Sequence, residues 1–116
     1  MGEFGLYSDK SSASATAIPF ETHLEGLESD TKGLLLDLRE FVKSCGDNVI
    51  EEIRPHRIVY AKSLTFRYFL DIRPRKHVLV VTIRKSRKEP STEYAVTNMM
   101  ELQNIKTGIL EAYANI

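Results

Sequence analysis

Tryptophan is absent from the 116 residues, cysteine occurs once and proline four times. The single cysteine, Cys45, excludes an intramolecular disulfide and suits a reducing compartment, where it is expected to serve as a small core residue. No apolar run approaches the roughly 20 residues that a membrane span needs, and the N-terminus shows no charged-then-apolar signal pattern. A soluble, cytoplasmic protein without membrane contact is therefore expected. The patterns that carry chemistry are missing too. His23, His56 and His77 are scattered, with no pair at i, i+4 spacing and no Cys-x-x-Cys beside them, so no metal is expected. No Gly-x-Ser-x-Gly elbow occurs, nor a glycine loop that would cradle phosphate. Glu51 and Glu52 are neighbours on an expected strand and so point to opposite faces, unable to share a proton or an ion. These gaps argue against an enzyme and against a bound cofactor.

Net charge is also lacking, since sixteen basic residues balance sixteen acidic ones. The balance hides a polarised chain. Residues 54–88 hold eleven of the basic residues and one acid, Asp71, a charge of +10 that is offset by −10 elsewhere. The composition, 42% hydrophobic and 28% charged, is that of an ordinary globular protein, and the length suits one domain with a modest core.

Residues 1–19 read as a disordered tail. Its first four residues, Met1-Gly2-Glu3-Phe4, resemble a cloning-site remnant, and the run of Ser, Ala and Thr over 11–17 offers too little apolar surface to offset ordering entropy. A single α+β domain is expected over 20–116. Thr22 to Leu27 suggests a short helical turn anchored by Leu24 and Leu27. Leu34, Leu35, Leu38, Phe41, Val42 and Cys45 then form one stripe at helical spacing, which predicts a helix over 30–45 that Gly46-Asp47 stops. Strands are expected over 49–54, at an edge closed by Pro55, and over 58–62.

Two further strands follow. Phe66, Tyr68, Leu70 and Ile72 alternate with Arg67, Phe69, Asp71 and Arg73, and the β-branched run over 78–84 suits a central strand. The turns at Ser63-Leu64 and at Arg73 to Lys76 are short enough for hairpins. After a charged loop over 85–92, Tyr94 to Thr97 is a short strand candidate. Asn98 caps a last helix over 98–114, with Leu102, Ile105, Ile109, Ala112 and Tyr113 on one stripe. The expected fold is α+β: an antiparallel sheet of four to five strands with an N-terminal and a C-terminal helix packed on one face. Leu38, Phe41, Phe66, Tyr68, Val81, Ile105 and Ile109 should share its core. That register puts Arg67, Phe69, Asp71 and Arg73 on the open face.

The succession of His23-Leu24-Glu25-Gly26, a Leu-rich helix, Ile58-Val59-Tyr60-Ala61-Lys62, a strand ahead of a basic turn, and Ile109-Leu110-Glu111-Ala112-Tyr113 resembles a small prokaryotic domain of unknown function. That domain is often labelled a predicted transport protein and is sometimes fused to restriction-type nuclease modules. The resemblance spans about residues 23–114 and implies an accessory role near nucleic acid, with no catalytic residues to carry over. The family's Gly-His-Trp segment before the last strand is missing here. A nuclease of the fused type would need an acid on the strand after Asp71, and Val81-Thr82-Ile83-Arg84-Lys85 has none.

A non-catalytic binding module is the function expected from these residues. Arg67, Arg73 and Arg84 would line the open face, Arg75, Lys76, Arg87 and Lys88 would extend it through two loops, and Phe69 would stack on a base of a bound nucleic acid. A solvated sheet whose arginine stems cover Val78 and Val80 explains the same pattern. So does a protein partner, or a second copy, whose acidic surface meets this basic one.

Overall fold

The computed structural model describes residues 18–86 and 88–116. The expected tail lies outside them except for Ile18 and Pro19, and so does Arg87, one of the expected basic contacts.

A short 3-10 helix, Phe20–Leu24, precedes helix α1, Ser29–Lys43. Between them Gly26 takes φ 81, a left-handed conformation that suits glycine. The stripe of α1 buries Leu34, Leu35, Leu38 and Val42, with Phe41 and Cys45 half-buried beside them. Ser44 closes the helix: its amide reaches back to the carbonyls of Glu40 and Phe41, and its hydroxyl donates to Phe41. Gly46 then passes so close to Tyr113 that an added Cβ would overlap the tyrosine hydroxyl.

Five antiparallel strands follow in sheet order: β1 Val49–Ile53, β2 Ile58–Lys62, β3 Arg67–Pro74, β4 Leu79–Ile83 and β5 Thr92–Val96. Helix α2, Met99–Asn115, completes the fold. At its start Asn98 Oδ1 accepts from the Glu101 amide at 2.9 Å, while the Glu101 carboxylate accepts from the Thr97 amide and hydroxyl, each at 2.7 Å. This reciprocal capping satisfies donors that the first turn leaves unpaired. Buried residues of both helices and of the sheet's inner rows (Ile58, Tyr60, Leu70, Ile72, Leu79, Val81 and Ile83 among them) form one cluster. The α+β meander expected from the sequence is the observed fold.

The alternation expected across β3 fails at one residue. Tyr60 pairs with Leu70 but Ala61 pairs with Tyr68, which leaves Phe69 as an extra residue in the strand. Such a bulge slips the side-chain alternation by one. Leu70 and Ile72 keep their places in the core, whereas Tyr68, expected there, is 40% exposed. Phe69, expected on the open face, is fully buried, and its ring meets that of Tyr113 in α2. The physical reason is area: burying a phenylalanine contributes about 1.5–3 kcal/mol, more than the roughly 1 kcal/mol of a ladder bond disturbed at the bulge. Phe66, also expected in the core, precedes the strand and is 78% exposed, with φ 55. Arg67, expected on the open face, pairs with Lys62, whose ammonium donates to the Tyr113 carbonyl at 3.0 Å. It therefore belongs to the helix-side row, at the exposed outer end.

The turns shift slightly as well. Residues 63–66 join β2 to β3, with the Phe66 amide donating to the Lys62 carbonyl. Pro74 ends β3 opposite Leu79, so the next turn is built by the Arg75 and Val78 backbones.

Candidate nucleic-acid interface

The sheet's open face is assembled by register. Glu52, Val59, Asp71, Thr82 and Glu93 lie side by side across the five strands. Three of these are carboxylates, and each is met by an arginine. Arg54 Nη2 donates to Glu52 at 2.7 Å, Arg57 Nη1 to Asp71 at 2.8 Å and Arg73 Nη2 to Glu93 at 2.8 Å. The Tyr68 hydroxyl joins the first pair, donating to Glu52 at 3.1 Å and accepting from Arg54 at 2.8 Å. The Arg54 guanidinium also lies 5.3 Å from the centroid of the Tyr68 ring. Its bond to Glu52 raises the Arg54 pKa further. An open depression of about 200 Å³ runs between these groups, bounded by Arg54, Arg57, Tyr68, Asp71, Thr82 and Arg84.

The structure divides the expected site. Arg84 stands on the open face beside Tyr68, and its amide donates to the Phe69 carbonyl at 3.0 Å. Arg73 is on the open face too, but its charge is taken by Glu93. Arg67 and Lys88 are exposed at the same end of the sheet as Arg84, where the β2–β3 and β4–β5 connections lie. Arg75 and Lys76 occupy the β3–β4 turn at the other end. Phe69 is in the core and contributes no ring to the surface. Among the described residues, Arg67, Arg75, Lys76, Arg84 and Lys88 make no ion pair.

Arg54, Arg57 and Tyr68 were not expected at this face. Arg54 and Arg57 flank the Pro55-His56 turn, and the meander's register alone carries them toward β3. Tyr68 arrives through the bulge, for which the alternating sequence holds no separate signal.

The opposite side of the sheet holds a second polar network that serves the fold. Arg39 of α1 clasps Glu51 through Nε and Nη2, both at 2.9 Å, and Tyr60 Oη donates to the same carboxylate at 2.7 Å. Burial opposes ionisation of Glu51, but hydrogen bonds from Arg39 and Tyr60 and the charge of Lys43 outweigh it and hold its pKa below the usual range. Burial and the adjacent carboxylate push the Tyr60 phenol up. Glu51 and Glu52 thus face opposite sides, as strand geometry requires. Burial raises the Cys45 thiol, whose Sγ lies 3.5 Å from the Phe41 carbonyl.

Among the described residues no three His, Cys, Asp or Glu side chains are grouped to hold a metal ion. No helix among them is long and apolar enough to cross a membrane. No protein-family model, curated protein or solved structure matches the chain. The segments around His23, Ile58–Lys62 and Ile109–Tyr113 fall on the 3-10 helix, β2 and the last turns of α2. There Ile58, Tyr60, Ile109 and Ala112 are core residues.

Proposed function

We propose that the protein is a non-catalytic binding module that contacts nucleic acid through the end of the sheet bearing Arg67, Arg84 and Lys88. The observation that carries this reading is the distribution of ion pairs. Glu52, Asp71 and Glu93 are each matched by one arginine, so the open face is neutral along its central row. Positive charge remains at Arg84 within that face and at exposed Arg67 and Lys88 beside it. Guanidinium and ammonium groups that no described residue pairs, gathered at one end of the sheet, attract phosphate without requiring a particular sequence. An accessory role near nucleic acid, as the resemblance to the prokaryotic domain implies, agrees with this chemistry.

The test is a titration of the protein with short single-stranded and duplex oligonucleotides at several salt concentrations. Changing Arg67, Arg84 and Lys88 together to Ala should weaken binding for all sequences alike. It should also flatten the slope of log affinity against log salt by roughly 0.7–0.9 for each phosphate that is no longer neutralised. Absence of binding at low salt would overturn the reading. Salt-sensitive self-association without nucleic acid, abolished by the same triple change, would assign the basic rim to a protein surface instead.

A further inference from the structure

We infer that the β2–β3 hairpin is a stacking platform for unpaired bases, with Phe66 and Tyr68 as its two rings, so that the module favours single-stranded nucleic acid. This inference rests on the nucleic-acid reading above and deepens it.

The first observation is Phe66 itself. Its backbone is left-handed, at φ 55, where glycine is at ease and a side chain is strained. Its ring is 78% exposed and Leu64 beside it is 73% exposed, so the fold recovers little for holding an aromatic residue there. Tyr68 is the second observation. The bulge at Phe69 turns it onto the open face, and hydrogen bonds with Glu52 and Arg54 fix its hydroxyl end. A ring held at one edge and 40% exposed is preorganised for contact and surrenders little freedom on binding.

Basic residues stand at the same end of the sheet as the two rings. Arg84 lies on the open face with Tyr68, and exposed Arg67, between the rings in sequence, lies on the helix-side row. Aromatic residues interleaved with basic ones suit a strand whose bases offer their π-faces while the phosphates meet the guanidinium groups. Duplex bases keep those faces stacked on one another and cannot use the rings.

The experiment compares three fluorescent probes of equal length on the full chain: a mixed-sequence single strand, an abasic strand with the same phosphates, and a duplex. The single strand should bind more tightly than the abasic one. Phe66→Ala should weaken single-strand binding by roughly five- to 150-fold and leave abasic binding unchanged. Phe66→Trp should restore it. Phe66→Gly should raise the melting temperature while binding as weakly as Phe66→Ala, which separates the ring's use from any structural role. Equal affinity for single and abasic strands, or indifference to Phe66→Ala, would overturn the stacking platform and leave the charge-based reading standing. Failure to bind any of the three probes would overturn both. Vesicles of anionic lipid bound through Phe66, with single and abasic strands bound alike, would overturn it in favour of a lipid contact.

Discussion

The rings of Phe69 and Tyr113 meet edge to face, with centroids 5.5 Å apart and planes inclined at 74°. This contact ties the bulged position of β3 to the last turns of α2, and Phe69 is completely enclosed. Phe69→Ala should therefore cost about 3–5 kcal/mol of stability, read as a lower urea midpoint. A loss under about 1 kcal/mol would be incompatible with a buried ring at this place.

Gly46 yields a second expectation. A methyl group there would overlap the hydroxyl end of Tyr113, which also accepts the Asn48 amide at 3.3 Å. Gly46→Ala should destabilise by roughly 1–3 kcal/mol through overpacking. In a double-mutant cycle with Tyr113→Ala, which removes all the overlapped atoms, the coupling should exceed about 0.5 kcal/mol. Strict additivity would show that the clash is relieved elsewhere.

The Glu51 network predicts a pH dependence. Hydrogen bonds from Arg39 and Tyr60 lower the Glu51 pKa below its ordinary value of 4.5, against the opposing effect of burial. Its contribution is fully present above that value and is lost as pH falls through the depressed one. Glu51→Gln should cost about 1–3 kcal/mol at pH 7, and the gap between the two proteins should narrow as the solution is acidified. Chemical denaturation at a series of pH values reads this directly, and a gap that widens in acid would contradict the assigned direction.

If phosphate is the ligand, the open-face carboxylates oppose it. Removing Asp71 and Glu93 charges by Asn and Gln releases Arg57 and Arg73 from their partners. The double variant should bind oligonucleotides more tightly at low salt and show a steeper salt slope, by up to roughly 0.9 for each arginine that gains a phosphate. Unchanged affinity would mean that the ligand does not reach the central row.

Both helices and all five strands were legible because their signals are local. A stripe at helical spacing marks α1, Asn98 and the stripe from Leu102 mark α2, and a β-branched run marks β4. The faces of β3 were legible only in part. Leu70 and Ile72 alternate as the sequence suggests, but the bulge is decided by the fit of Phe69 against Tyr113, forty-four positions later in the chain. No pattern within Arg67–Pro74 contains that information. The interface suffered for the same reason, since a slip of one residue exchanged Tyr68 for Phe69 at the surface. Charge clustering in the sequence likewise could not reveal which arginines were engaged, because Asp71 and Glu93, the partners of Arg57 and Arg73, come from other segments of the sheet.

Every strand of the sheet pairs with its neighbour in the chain, so each hairpin can close over a short loop without waiting for distant segments. The distant closures converge on α2, where Lys106 meets Asp37 at 3.5 Å and Tyr113 meets Lys62 and Asn48. During synthesis α2 emerges after all five strands. Until it does, the sheet face that holds Tyr60, Leu70 and Val81, and with it the ring of Phe69, lacks one of its two covering helices, and a nascent chain paused before Met99 offers that apolar surface to chaperones or to its neighbours.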